Sequence, residues 1–317
     1  MKHFILLGVL ASTLKPNMKI IPFLVLFLFG TISYGQSDTV RIKDLLTVLT
    51  KTPKPRNHQN IDQLNLCAKF ISTNFKEYAD TVFYQNYQIG SLTYKNIVAR
   101  FNPQASQKMV IGAHYDVCGN QEGADDNASG IVGLLELARL LKGQKLDKCI
   151  ELVAYTLEEP PFFRTEYMGS FIHAKSLKDS HADVVGMVSL EMIGYFNEAK
   201  HTQDYPIGFL KLFYGSRGNY ITVVNKFGKG KGARKFTKHM DRFAQLPVKK
   251  FNGPKSLTGI DFSDHLNYWK MGFSACMITD TAFYRNKNYH QKTDEMGTLN
   301  ISRMAQVIDG VFLSILA

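Results

Sequence analysis

Cysteine is scarce in this sequence: there are four in 317 residues, and no two stand in a Cys-x-x-Cys spacing. That excludes a disulfide-dense scaffold and the zinc knuckles and redox motifs built on such pairs. Any metal must use other ligands. There is no low-complexity tract and no repeat with a period of about 20 to 50 residues, so a solenoid or propeller is not expected. No apolar run reaches the roughly 20 residues that a transmembrane helix needs. Tryptophan occurs once, as Trp269, and acid is in deficit, with 27 Asp and Glu against 38 Lys and Arg, a formal charge of +11. What remains is ordinary for a folded chain, with 45% hydrophobic, 21% charged and 12% aromatic residues. This balance excludes disordered, collagen-like and coiled-coil classes and leaves ample material for a core.

The N-terminus reads as an address. Met1 opens one basic and apolar stretch, but Met18 and Lys19 followed by the apolar run 20–29 look more like a signal peptide. Lys15, Pro16, Asn17 and Lys19 prevent the two apolar stretches from joining into one helix. Ser33 and Gly35 supply small residues before a cleavage point at Gln36, and because Gln36 is not cysteine, lipid anchoring is not suggested. Residues 1–35 are expected to be a signal peptide that starts at Met18. Residues 36–317 would be a single exported catalytic domain, periplasmic or extracellular, with no transmembrane anchor after cleavage.

Along residues 36–317 the hydrophobic period alternates. Ile61, Leu64, Ala68, Ile71 and Phe75 give helical spacing over 58–75, and 130–141, 168–177, 231–243 and 299–316 read as further helices. Apolar or β-branched runs at 92–101, 109–113, 150–156, 184–190, 220–225 and 274–279 read as strands. Alternating strands and helices predict an α/β fold, with a mixed, largely parallel central sheet covered by helices on both faces. No linker appears, which favours one domain.

The chemistry-bearing residues follow the strands: His114 and Asp116, then Glu158 and Glu159, then Glu191, with His290 and Asp294 after the last one. In open α/β sheets the carboxyl ends of strands face a common crevice, so these distant groups are expected to converge. His114 and Asp116, two apart on extended chain, point to one side, and Asp116 can orient His114 as a ligand. Residues 123–130 form a tight polar turn entering a helix, where Asp126 can face the cleft, or Asp126 or Asn127 can simply cap the helix. Adjacent Glu158 and Glu159 point in different directions, one towards metal and the other free for proton transfer. His114, Asp126, Glu159, Glu191 and His290 are nitrogen and oxygen donors suited to zinc. Five exceed the three protein ligands of a single catalytic zinc, so two ions fit best.

The segments 111–116, 123–130, 158–159, 190–194, 262–265, 277–282 and 289–290 resemble the di-zinc aminopeptidases of metallopeptidase family twenty-eight, to which glutaminyl cyclases are related. The resemblance runs from about Asn96 to the C-terminus. It implies a zinc-dependent exopeptidase fold with two zinc ions per chain: His114 and Glu191 hold one, Glu159 and His290 the other, and Asp126 bridges them. It also implies hydrolysis of an N-terminal peptide bond by a water between the ions, with Glu158 as general base and Tyr289 hydrogen-bonding the carbonyl oxygen. Glu191 stands where several members have aspartate, and 160–167 is longer and richer in proline than the glycine loop common there. Phe162, Phe163 and Tyr167 in that loop are candidates to line a hydrophobic subsite, or to pack only on one another.

The expected partner is a peptide with a free N-terminus. A glutaminyl cyclase using one zinc and a non-catalytic binding domain are the competing functions; the complete donor set argues against both. The segment 197–260 carries 13 Lys or Arg and 3 Asp or Glu. Without a recognisable nucleic-acid motif, attraction to acidic peptides or anionic surfaces explains that charge better than nucleic acid does.

Overall fold

The computed structural model describes residues 36–228 and 230–317, so the expected leader lies outside the described residues. Eight strands, β1 (Thr81–Ile89), β2 (Leu92–Phe101), β3 (Gln107–His114), β4 (Cys149–Tyr155), β5 (Asp183–Glu191), β6 (Ile221–Lys226), β7 (Val248–Gly253) and β8 (Ala275–Thr279), form one sheet in the order β1-β2-β4-β3-β5-β8-β6-β7. The pairings β3–β4, β3–β5, β5–β8 and β6–β7 are parallel; β1–β2, β2–β4 and β6–β8 are antiparallel. The sheet is therefore mixed and mostly parallel, as the alternating pattern predicts.

Helices cover both faces because the central strands are apolar on both. Successive residues of a strand point to opposite sides. Ile111, Leu152, Val188 and Ile278 join one apolar cluster, whereas their neighbours Val110, Val153, Met187 and Met277 join the other. The first cluster is closed by α1 (Thr39–Thr50), α2 (Ile61–Lys76), α3 (Gly130–Leu141), α6 (Gly230–Phe243) and α8 (Ile301–Leu316). The second is closed by α4 (Gly169–Asp179) and α7 (His265–Lys270), through Ala174, Leu177, Tyr268 and Trp269. A four-residue helix, α5 (Lys211–Tyr214), lies between β5 and β6. Among the described residues no helix is long and apolar enough to cross a membrane. On α6, Lys231, Arg234, Lys235, Lys238 and Arg242 are exposed, so much of the charge of 197–260 faces solvent.

The strand over 92–101 and the helix over 130–141 coincide with β2 and α3, and the other expected elements differ only at their ends. The helix expected from residue 58 starts at Ile61, and its Leu64 amide donates to the Asn60 carbonyl. Additional elements are α1, β1, β7, α5 and α7.

Candidate metal centre

Parallel register brings the donors together. His114 ends β3 opposite Tyr155 of β4, and β5 flanks β3 on its other side. The chain leaving these three adjacent strands therefore delivers His114 and Asp116, then Glu158 and Glu159, then Glu191, at one edge of the sheet. Asp126 enters from the turn Ala124–Ser129 ahead of α3, and His290 from the loop after β8.

The arrangement has two halves. His114 Nε2 lies 3.4 Å from Asp126 Oδ1 and 3.4 Å from Glu191 Oε2. His290 Nε2 lies 3.2 Å from Asp126 Oδ2 and 3.2 Å from Glu159 Oε2. Asp126 thus turns one oxygen to each half. Donors about 2.1 Å from a tetrahedral zinc stand about 3.4 Å apart, and these separations match that shell. His114 Nε2, Asp126 Oδ2 and Glu159 Oε1 are buried without any hydrogen-bond partner. Burying unpaired charges costs several kcal/mol each, and divalent cations between these atoms would offset it. The residues therefore fit a metal centre.

Glu158 stands slightly apart, its Oε2 3.8 Å from His114 Nε2, whereas the Oε2 of its neighbour Glu159 is 3.2 Å from His290 Nε2. Burial, with Glu159 and Glu191 adjoining, pushes its carboxyl well above the usual range. Burial and the Asp126 carboxylate push Glu159 up to about 8. Burial opposes the charged imidazole of His290, but Asp126 and Glu159 hold its pKa up to about 10. Without cations the site consequently stores protons at neutral pH. Each ion must displace them, so binding should release protons and tighten as pH rises. Calorimetric zinc titrations in buffers of different ionisation enthalpy measure this, and buffer-independent heats would contradict it.

Asp116 lies beside His114 and also serves the two glutamates. Its side chain is 3.6 Å from His114 Nδ1, and that nitrogen donates instead to the main-chain carbonyl of Asp116 at 3.1 Å, leaving Nε2 free as a ligand. The Asp116 carboxylate accepts the amides of Glu158 (3.2 Å) and Glu159 (3.1 Å), and so positions both glutamates. Asp116→Asn would set a donor against one of those amides. Activity is expected to fall about 10- to 100-fold with the fold retained, the range for losing a group that orients metal ligands. Unchanged kinetics would count against this positioning role.

Other supports were not apparent in the sequence. Asn127 Oδ1 accepts the amides of Gly130 and Met192, so the capping use of this turn and the metal-facing use of Asp126 coexist on neighbouring residues. Ser263 donates to Glu191 Oε2 at 2.8 Å. Asp294 accepts the amides of Asp125 and Asp126 and locks the turn from below. Arg56, fully buried, donates to the carbonyls of Leu49, Tyr115, Glu122 and Gly123, tying the two loops that carry His114 and Asp126. Gly123 has φ +60°, and a Cβ there would lie 2.4 Å from the Asp126 carbonyl oxygen, so glycine is required. Leu157, Met192 and His290 also have positive φ, which places backbone strain at or beside Glu158, Glu191 and a proposed ligand.

A cavity of about 370 Å³ opens over Asp126, Glu158, Glu159, Glu191 and His290. Its wall is apolar and aromatic, from Tyr205, Tyr220, Phe251, Ile260, Phe262 and Met277. Of the three loop aromatics, only Phe163 lines it. Phe162 packs against His58 and Tyr94, while Tyr167 stands against Phe162 and is largely exposed. Trp269 lies elsewhere, its indole N–H donating to the Ala275 carbonyl. Tyr289 borders the cavity with its ring stacked on His290, 3.8 Å between centroids. Burial and the nearby carboxylates of Asp126 and Glu159 raise its phenol, which stays a donor.

Known proteins resemble this chain in sequence and in fold. The chain is 44% identical over 279 residues to the uncharacterized protein YfbL of Escherichia coli (strain K12), covering 86% of this chain and 85% of YfbL. It is 26% identical over 226 residues to a probable leucine aminopeptidase of Arthroderma otae, covering 67% of this chain and 53% of that protein, about half its length. In fold it is similar to LapB of Legionella pneumophila, with a TM-score of 0.68 and 23% identity over 88% of this chain and 71% of LapB. A glutaminyl cyclase of Porphyromonas gingivalis has a TM-score of 0.64 and 18% identity over 88% of this chain and 98% of the cyclase. The profile of peptidase family M28 matches residues 96–314, a span that includes every donor above from His114 to His290, and the chain belongs to that family.

Proposed function

We propose that this protein is an exported zinc-dependent aminopeptidase that removes apolar residues from peptides with a free N-terminus. The observation that carries the reading is the convergence of His114, Asp126 and Glu191 with Glu159 and His290 beside an apolar cavity, with Glu158 left over for proton transfer. Two bound zinc ions would supply Lewis acidity towards water and the scissile carbonyl. Glu158 takes the proton of the attacking water and passes it to the leaving amine, and its raised pKa suits a group that must hold that proton between the two steps. Tyr289 donates to the carbonyl oxygen as negative charge develops there. Asp116 holds Glu158 and Glu159 by their amides.

The wall of Tyr220, Phe251, Ile260 and Met277 favours a leucine, methionine or phenylalanine side chain and disfavours a charged one. Likeness in fold to a glutaminyl cyclase supports a second reading, in which the substrate's own amine attacks its side-chain amide. The complete set of five donors, and a cavity that lacks the Trp269 indole, favour the hydrolase. A panel of aminoacyl amides and N-terminal glutaminyl peptides separates them. Release of free leucine and phenylalanine, with lysyl and aspartyl amides at least about 10-fold poorer, is expected from the cost of burying a charge. Pyroglutamate as the main product would establish the cyclase instead.

A further inference from the structure

The two halves of the centre differ by a sulfur atom. Cys118 lies two residues beyond Asp116, in the loop that follows β3, and its Sγ, a carboxylate oxygen of Glu159 and a ring nitrogen of His290 all lie within 4.8 Å of one another. Among the described residues the His114 half has no cysteine neighbour: its groups within the same distance are His114 with Asp126 and Glu191, and His114 with Glu158 and Glu159. The other three cysteines sit on α2, β4 and β8, and no two cysteines are joined by a disulfide. A thiol alone would signify little. Here it stands with Glu159, an almost fully buried carboxylate whose Oε1 has no hydrogen-bond partner. Acceptors left bare beside a thiol are what a cation needs on its other sides.

We propose that Cys118 is a protein ligand, as thiolate, of the cation held by Glu159 and His290, which gives that half a mixed sulfur, nitrogen and oxygen shell. The proposal rests on the two-cation reading of the site and adds a donor to it. Zinc bonds to sulfur at about 2.3 Å and to imidazole at about 2.0 Å, so such donors stand about 3.5 Å apart. The three donor atoms already lie within 4.8 Å of one another, so a shift of little more than about 1 Å brings them into that range. The proton of the thiol leaves to solvent as the cation binds, as for any thiol that coordinates zinc.

The consequence is inequivalence. Thiolate favours zinc over magnesium or manganese, whereas the all nitrogen and oxygen shell of His114, Asp126 and Glu191 does not discriminate in this way. The sulfur-bearing half should fill first and hold its ion more tightly. With Glu159, His290 and the shared Asp126 it already has three protein donors, so Cys118 completes four. With an ion bound there, Cys118 would be the donor that entering solvent or substrate has to join or replace.

Cobalt(II) tests this without reference to turnover. Metal-free wild type and Cys118→Ser are titrated with cobalt while visible and near-ultraviolet absorption are recorded, and circular dichroism confirms that the variant is folded. The wild type should show visible ligand-field bands for two equivalents, together with a sulfur-to-cobalt charge-transfer band that saturates at one. Cys118→Ser should keep the ligand-field bands, lose the charge-transfer band, and bind zinc at one of its two sites at least about 10-fold more weakly. Ligand-field bands without charge transfer in the wild type, or charge transfer that persists in Cys118→Ser, would overturn the thiolate ligand and leave the two-cation reading standing. Failure of the wild type to take up cobalt at all would overturn both.

Discussion

Glu158→Gln is expected to retain two bound ions and to lose at least about 100-fold in kcat, the lower range for a positioned general acid and base. The argument is one of placement. Glu158 is the acidic residue of the pair that does not face His290: its Oε2 is 3.8 Å from His114 Nε2, beyond the 3.2 to 3.4 Å that separates the proposed ligands from one another. Glutamine preserves shape and can accept a hydrogen bond from water, but it cannot carry the proton to the leaving amine. The loss should therefore appear in kcat with KM little changed, since the cavity wall that receives the side chain is untouched. Metal analysis of the same preparation distinguishes a missing base from a missing ion. A Glu158→Gln protein with full turnover would remove Glu158 from the chemistry, and one that has lost an ion would make it a ligand.

Asp126→Ala should have the other large effect. Asp126 turns Oδ1 towards His114 and Oδ2 towards His290, so its loss weakens both shells together. Activity is expected to fall by more than about 1,000-fold, equivalent to about 4 kcal/mol of transition-state stabilisation. Metal content should drop below two per chain. Stability follows the same logic. In the wild type, ions at about 1,000 times their dissociation constant stabilise the folded state by about 4 kcal/mol, so chelation should lower its Tm markedly. Chelation should lower the Tm of Asp126→Ala far less, because that variant has little bound metal to lose and one fewer carboxylate left bare. Equal shifts in the two proteins would mean that the stabilising ions are bound somewhere else.

Much of this was legible because the two periods in the sequence are strong where the molecule is most buried. β4 is buried at all seven positions and α3 at eleven of twelve, and both read clearly from apolar runs or spacing. β1 is different. Its residues alternate only between half-buried and exposed, and it gains its place by pairing along its full length with β2 at the edge of the sheet. β7, with Lys249 and Lys250, is likewise an edge strand fixed by its neighbour β6. Helix α1 does carry a stripe, Ile42, Leu45, Leu46 and Leu49, and its cap Asp38 accepts the amides of Val40 and Arg41. That signal sits just past the expected leader, where apolar residues are easily read as its continuation.

At the site, residues that donate through their side chains were accessible from their type and from the strands they follow. Those that act through the main chain were not. Nothing in the local sequence around Arg56 shows that its guanidinium will collect four carbonyls, one from α1 and three from the connection between β3 and the Asp126 turn, since those carbonyls meet only when α1, β3 and that turn are assembled. Asp116 shows the same limit: its pairing with His114 is suggested by spacing two apart, but its carboxylate goes to the amides of Glu158 and Glu159, about forty residues on, because β4 lies next to β3.

The most direct measurement is a crystal structure of the zinc-loaded protein with anomalous diffraction recorded at the zinc edge. The account requires two peaks per chain, one between His114 and Glu191 and one between Glu159 and His290, with Asp126 reaching both. A single peak, or zinc bound away from Asp126, would contradict it.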